Sequence, residues 1–365
     1  MAIRSHHHFT VSTGTASHWG AAAKMCLDGL GPFRAKGANI GFLYATEPFA
    51  DDLASLHTFL RETTPIETWV GGIVPGLCAQ SAEYRQGGAL GIMVGTLPTG
   101  SFRPLLAKDF PAAASEGGRA VIVHGDPRHP LITSLCQDLR RSMTRSVGGF
   151  VSAAGPEHQL AGSLVQGGVS GLLLEQGTDL IVGLTQGCSP IGPVHFVTQS
   201  ARNIVMELDG LPALDILKTE AGDLIARDLR RAGGYIHIGI LDDETYSVRS
   251  LVGIDSSHGF LAITSEIEDG ARVVFVRRDA NTAQRDLAEM LTRMRTALNG
   301  RSPLGALYFT CAARGVHMFG AEGQEMAQIR AALDNLPLLG FFANGEIANG
   351  QIYSYTGVLA VLASS

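Results

Sequence analysis

Long apolar runs, separated by glycine-rich turns and by stretches of helical periodicity, recur along this chain in a fixed order. The clearest set begins at Pro303. An uninterrupted run, Ala306-Leu307-Tyr308-Phe309-Thr310, has the length and composition of a buried strand. A turn follows at Cys311-Ala312-Ala313-Arg314-Gly315, then a segment from Glu325 to Leu333 in which Met326, Ile329 and Leu333 are spaced three and four apart, as on one face of a helix. Gly340-Phe341-Phe342-Ala343-Asn344-Gly345-Glu346 and a second apolar run from Thr356 to Leu362 complete the set.

The same order occurs twice before. Asn39 to Thr46 reads as a central strand, Asp51 to Arg61 as a helix, Val70-Gly71-Gly72-Ile73 as a glycine hinge and Ala89 to Val94 as a closing strand. Ala120 to Gly125, Leu131 to Met143, Val147-Gly148-Gly149-Phe150 and Val169 to Leu174 repeat it. The pattern predicts three copies of one strand-helix-strand unit. Around them, residues 6–13 read as an edge strand, and the helix carrying Trp19, Ala22, Ala23, Cys26 and Leu27 is expected to be capped by Ser17. Asp51 or Asp52 is expected to open the next helix. Gly95 to Gly118 has few apolar anchors and reads as the least structured stretch.

From about 194 to 277 the pattern changes to short alternating runs: Val194 to Thr198, Asn203 to Leu208, Tyr235 to Ile240, Ser247 to Ile254, Phe260 to Thr264 and Arg272 to Arg277. The last two are separated by a short connection and read as neighbouring antiparallel strands. Leu287, Met290, Leu291, Met294 and Leu298 mark a long helix over 282–298. The fold class expected is α/β, with layered mixed sheets built from repeated strand-helix-strand units and a more β-rich second domain. The boundary is placed near 207–212, giving domains 1–207 and 208–365, with the third copy in the second.

Composition narrows the function classes. Hydrophobic residues make up 45% of 365, enough for a large core, and charged residues only 17%. The net charge of -6 and the absence of a basic tract argue against nucleic acid. Five scattered cysteines without a CxxC suit a reducing, cytoplasmic setting. No stretch reaches 18 apolar residues and no signal-peptide pattern opens the chain, so membrane insertion is not expected. Gly71-Gly72-Ile73-Val74-Pro75-Gly76 lacks the spacing of a phosphate loop, and no cofactor is expected. His57 reads as a packed residue. His124, Asp126 and His129 invite a metal or acid–base reading, but Asp126-Pro127 is also a helix-start signal, and no metal is expected.

Six blocks in order carry a family resemblance: Thr185-Gln186-Gly187-Cys188-Ser189-Pro190-Ile191-Gly192, Leu208 to Leu214, Arg249 to Asp255, Phe275 to Ala280, Tyr308 to Gly315 and Gly340 to Ile347. On these the sequence resembles the FIST proteins, which pair an N-terminal with a C-terminal FIST domain. The resemblance spans essentially the whole chain. It implies a sensory module for a small ligand such as an amino acid, used in intracellular signalling, and so a signalling protein as a further partner. With no room for an output domain or an F-box, the chain resembles a stand-alone sensor. It departs from the family at Gly72-Ile73-Val74-Pro75, where many members carry a hydroxyl-rich run.

The residue chemistry agrees in kind. Arg249, Arg277 and Arg314 can hold a carboxylate bidentately, and Asp255, Asn344 and Glu346 can receive an ammonium or amide. With Gln186, Cys188 and Cys311 they form the expected ligand-binding set, for a small polar metabolite, an amino acid or a small carboxylate, in a cleft between the domains. Two rivals remain open. One is a cysteine-dependent hydrolase or transferase using Cys311 or Cys188, with His195 or His317 as the nearest bases in sequence. The other is a protein-interaction scaffold, which would show an apolar patch instead.

Overall fold

The computed structural model describes residues 9–31, 37–109, 120–152, 154–155, 158–222, 235–242 and 245–364. The expected start of the edge strand at His6 to His8 lies outside these residues, as does part of the 95–118 stretch. The chain divides into two compact units. One runs to Thr185 and resumes at Ala288; the other is Gln186–Leu287. The repeat at 303–364 therefore lies in the same unit as the first two.

That unit contains three separate six-stranded sheets on one plan. In the first sheet, the edge strand Phe9–Thr15 pairs with the closing strand Ala89–Gly95. The closing strand pairs with Ile40–Thr46, which runs parallel to Thr68–Val74 across the helix Leu53–Thr63. The second sheet repeats this with Phe102–Leu106, Val169–Leu174, Ala120–Gly125, the helix Ile132–Ser142 and Arg145–Phe150. The third repeats it with Thr178–Thr185, Gly357–Ser364, Pro303–Cys311, the helix Gln324–Ala332 and Leu338–Ala343. Gln186–Leu287 is thus inserted in the chain after the third edge strand.

Each repeat also has a short hairpin, and none joins its own sheet. Leu77–Ala79 with Ala82–Tyr84 extends the third sheet along Leu338–Ala343. Gln159–Ala161 with Leu164–Val165 extends the first along Thr68–Val74. Glu346–Ala348 with Gln351–Tyr353 extends the second along Arg145–Phe150. The exchange closes a cycle, so every sheet is completed by another repeat. Equivalent positions of the three sheets meet in the middle: Tyr44, His124 and Phe309 gather round Phe341, with ring centroids 4.9, 6.2 and 5.2 Å from it.

The double glycines are not hinges. Gly71, Gly148 and Gly340 lie in the second parallel strand of each repeat, directly opposite Leu43, Val123 and Tyr308. A Cβ at any of them would sit 1.8 Å from the carbonyl oxygen of that opposite residue. The glycines are required because the backbones approach too closely for a side chain. The described part of the stretch, 95–109, is also more ordered than its composition suggests, since Phe102–Leu106 forms the edge of the second sheet.

Helix starts differ in detail. His18, not Ser17, caps Trp19–Gly29, its Nδ1 accepting from Gly20 N at 3.0 Å. Glu47–Asp52 forms a 3-10 turn before the α-helix begins at Leu53, and Asp52 makes no side-chain cap.

The second unit is a closed barrel. His195–Ala201 pairs with Ile204–Leu208, then in turn follow Phe260–Ile263, Thr245–Asp255, Ile236–Asp242 and Arg272–Arg278, which returns to His195–Ala201. Phe260–Ile263 and Arg272–Arg278 are therefore not neighbours: barrel closure gives each two other partners. The helix Ala213–Ala221 buries Ala213, Leu214 and Leu217 in the core of this unit. Among the described residues, no helix is long and apolar enough to cross a membrane.

Candidate functional site

In the first unit, charged groups collect where the strand Pro303–Cys311 ends. The strand is apolar until Thr310 and Cys311, after which Arg314 N donates to Cys311 O at 2.8 Å and turns the chain back. The turn delivers Arg314 inward, with none of its surface exposed. A guanidinium in that position needs a counter-charge, and Glu325 supplies it from the first turn of Gln324–Ala332. Arg314 Nε and Nη2 donate to Glu325 Oε1 at 3.0 and 2.5 Å. Tyr308 OH donates to the same oxygen at 2.6 Å, and burial raises the phenol pKa well above its ordinary value. Arg314 Nη1 donates to Thr185 O and Tyr355 O at 3.3 and 3.4 Å.

A second buried carboxylate stands beside this pair. Glu346 heads the hairpin that the third repeat lends to the second sheet, and is fully buried. Oε2 accepts from Thr356 N at 3.1 Å, while Oε1 has no hydrogen-bond partner among the described residues. Desolvation raises its pKa well above the usual carboxylate range. The Thr356 amide and the Arg314 charge oppose that rise, and the charge of Glu325 adds to it.

The borrowed hairpin of the first repeat closes the outer side. Arg85 donates to Arg314 O at 2.7 Å and Ala312 O at 3.1 Å, and lies 3.6 Å over the Phe342 ring. Glu83 accepts from Arg85 Nε at 2.7 Å and from Gly323 N at 2.9 Å.

Of the residues expected from sequence, this place unites Arg314 and Glu346, with Cys311 buried in the same turn; Asn344 is exposed. The others lie in the barrel unit. Gln186 and Gly187 donate backbone N–H groups to Asp286 Oδ2, and Gln186 Nε2 donates to Tyr246 O at 2.9 Å. Cys188 is buried, and its carbonyl accepts from Tyr246 OH at 3.0 Å. Arg249, half-buried, donates to Ser265 Oγ at 3.1 Å and Val248 O at 3.0 Å. Arg277 is exposed, and its strand and that of Arg249 flank Ile236–Asp242, opposite Ile236 and Ile238, so two strand spacings, about 10 Å, and a two-residue offset along the strand separate them. Asp255 binds Ser257 and His258 in an exposed turn, and these bonds, the Ser257 hydroxyl foremost, hold its carboxyl well below the usual range.

His124 Nε2 lies 3.0 Å from Tyr44 OH, and burial brings its pKa down to about 3. Asp126 faces His158 at 3.1 Å, and His129 Nδ1 accepts from Leu131 N. The three do not converge, and no described group of three His, Cys, Asp or Glu residues could hold a metal ion. Burial pushes the Cys26 and Cys136 thiols up to about 12. His57 is buried on its helix face, as expected for packing, and burial lowers its pKa.

Glu325, the partner of Arg314, was missed in the sequence. It left one signal: it lies four residues before Ile329, in phase with the apolar stripe that buries Met326 and Ile329. Arg85 left none, because it arrives from 229 residues away in sequence.

Two family models match the chain, and their common boundary falls inside the barrel unit, not between the two compact units. Residues 39–211 match the FIST N domain and residues 213–349 the FIST C domain. The chain belongs to the FIST family. It is similar to the uncharacterized protein Rv0628c of Mycobacterium tuberculosis, 33% identical over 190 residues, which is 49% of each chain. The uncharacterized protein Mb0898c of Mycobacterium bovis is 34% identical over 190 residues, again 49% of each. The match thus spans about half the length of these relatives.

Proposed function

We propose that this protein senses a small polar metabolite in intracellular signalling, and that the first unit reads the ligand where Pro303–Cys311 ends. One observation carries this reading: Glu346 is fully buried, beside a buried ion pair, with one carboxylate oxygen left without a partner among the described residues. Buried polar atoms are nearly always paired, so such an oxygen suits a donor brought by a ligand. The donors of Arg314 recorded above go to Glu325, Thr185 and Tyr355, so its part is to fix Glu325 and set the field at Glu346. Occupancy would be reported by movement of the turn Cys311–Gly315 and of Arg85, which grips it through two carbonyls.

The test is to identify any co-purifying metabolite by mass spectrometry after gentle denaturation, then to titrate it into the wild-type chain and Glu346→Gln. Weakening by about tenfold or more is expected, as for loss of a charge-assisted bond. An unchanged affinity would remove the site from this place.

A further inference from the structure

The charges around Glu346 do not balance. Glu325 and Glu346, both buried, face one buried cation, Arg314. Arg314 is joined to Glu325 by two donors, and Tyr308 spends its hydroxyl on the same carboxylate. The bond given to Glu346 comes from a neutral amide, Thr356 N. With both acids ionised, the cluster would carry one uncompensated negative charge out of contact with water, a costly state.

Among the described residues, the elements packed against Glu346 offer no other cation at its carboxylate. The strand Pro303–Cys311 brings Tyr308 and Cys311, Gln351–Tyr353 brings Tyr353, and Gly357–Ser364 brings nothing titratable. Arg145 of Arg145–Phe150 donates to Leu180 O and lies at the far end of its strand from Gly149, the residue opposite Glu346.

Resting on the function proposed above, we infer that the ligand presents an ammonium group to Glu346, and that binding exchanges a proton for that ammonium. In the ligand-free protein Glu346 is a neutral carboxylic acid. On binding, the O–H bond of Glu346 breaks, its proton passes to the solvent, and the carboxylate accepts hydrogen bonds from R–NH3+. The exchange balances in charge and atoms and needs no co-reactant. An anionic group would meet two carboxylates. A divalent metal would require several oxygen ligands, whereas no suitable group of three exists among the described residues. Affinity should therefore rise with pH while Glu346 still holds its proton, because fewer protons then compete with the amine.

The experiment uses calorimetry on the full chain with ethanolamine, alanine and propionate, each in two buffers of different ionisation enthalpy. Binding of the two amines with release of about one proton, and no binding of propionate, is expected. Binding of propionate, or amine binding without proton release, overturns the inference and leaves the sensing function standing. If no probe binds, an amine-free co-purified metabolite overturns the inference alone. If no probe binds and no metabolite co-purifies, both the inference and the sensing function fall. Infrared spectroscopy supplies a readout without ligand: a carboxylic-acid C=O band at neutral pH that disappears in Glu346→Gln. Its absence from the wild-type protein overturns the inference whatever binds. Should Glu346→Gln fold poorly, Glu346→Asp shifts the same band instead of removing it.

Discussion

At the scale of the residue, the Arg314–Glu325 pair shows what burial does to charge. Two groups that would interact weakly at a surface become mutually dependent once water is excluded. Arg314→Ala leaves Glu325 buried without its cation and should lower the unfolding free energy by about 3–5 kcal/mol, measured by urea denaturation. Arg314→Ala with Glu325→Ala should recover part of that loss, because neither charge is then stranded. A double mutant as unstable as the sum of the singles would show that the two do not act as a pair. Arg314 was legible in sequence as an arginine among apolar neighbours. Its partner was not, because a glutamate in a helix reads as solvated until a face is assigned to it.

At the scale of the element, close backbone approach decides which substitutions the sheets tolerate. Gly148→Ala places a methyl group against Val123 O, across the parallel pair. It should cost at least about 4 kcal/mol, the range of severe core lesions. Gly253→Ala meets nothing closer than 3.4 Å and should stay within about 0.5 kcal/mol. Urea midpoints of the two variants make the comparison, and equal effects would contradict the register.

A second element-scale device ties strand to helix in the barrel unit. His195 Nδ1 and Nε2 each lie 2.6 Å from a carboxylate oxygen, of Asp209 and of Glu220. Burial alone would lower the imidazole pKa, but the two hydrogen bonds outweigh it and raise the value. The stability this gives is fully present below the unfolded histidine value of about 6.5 and is lost as pH rises through the raised folded value. Asp209 shifts the other way, held down first by Phe196 N and then by His195, so its share is lost as pH falls through its lowered value. His195→Gln should therefore flatten the decline in urea midpoint above about pH 6.5. An unaltered pH profile would show that the imidazolium contributes nothing.

At the scale of the whole molecule, the cyclic exchange of hairpins makes the three repeats interdependent. Leu77–Ala79 can protect the third sheet only while the first repeat is in place, and the same holds round the cycle. Phe341→Ala, which removes the ring shared by Tyr44, His124 and Phe309, should cost about 3–5 kcal/mol. It should also accelerate amide hydrogen exchange in Thr68–Val74 of the first sheet as much as in Leu338–Ala343 of the third. Faster exchange confined to the third sheet would mean that the repeats open separately.

Apolar runs and helical spacing determined the central and closing strands, the crossover helices and the threefold recurrence, because side-chain periodicity reports which face of an element is buried; the edge strands Phe102–Leu106 and Thr178–Thr185 and the short hairpins were not legible in it. The six blocks carried family membership, while Arg314, Cys311 and Glu346 read as candidates on equal terms with Arg249, Arg277, Asp255, Asn344, Gln186 and Cys188. Which strands pair was left to the tertiary structure. A hairpin's alternation says that it joins a sheet but not which one, so the exchange among repeats and the barrel order were invisible. The same holds for charge. Whether Glu346 is a solvated acid or a desolvated one beside Arg314 depends on neighbours brought from distant parts of the chain, and folding alone sets that environment.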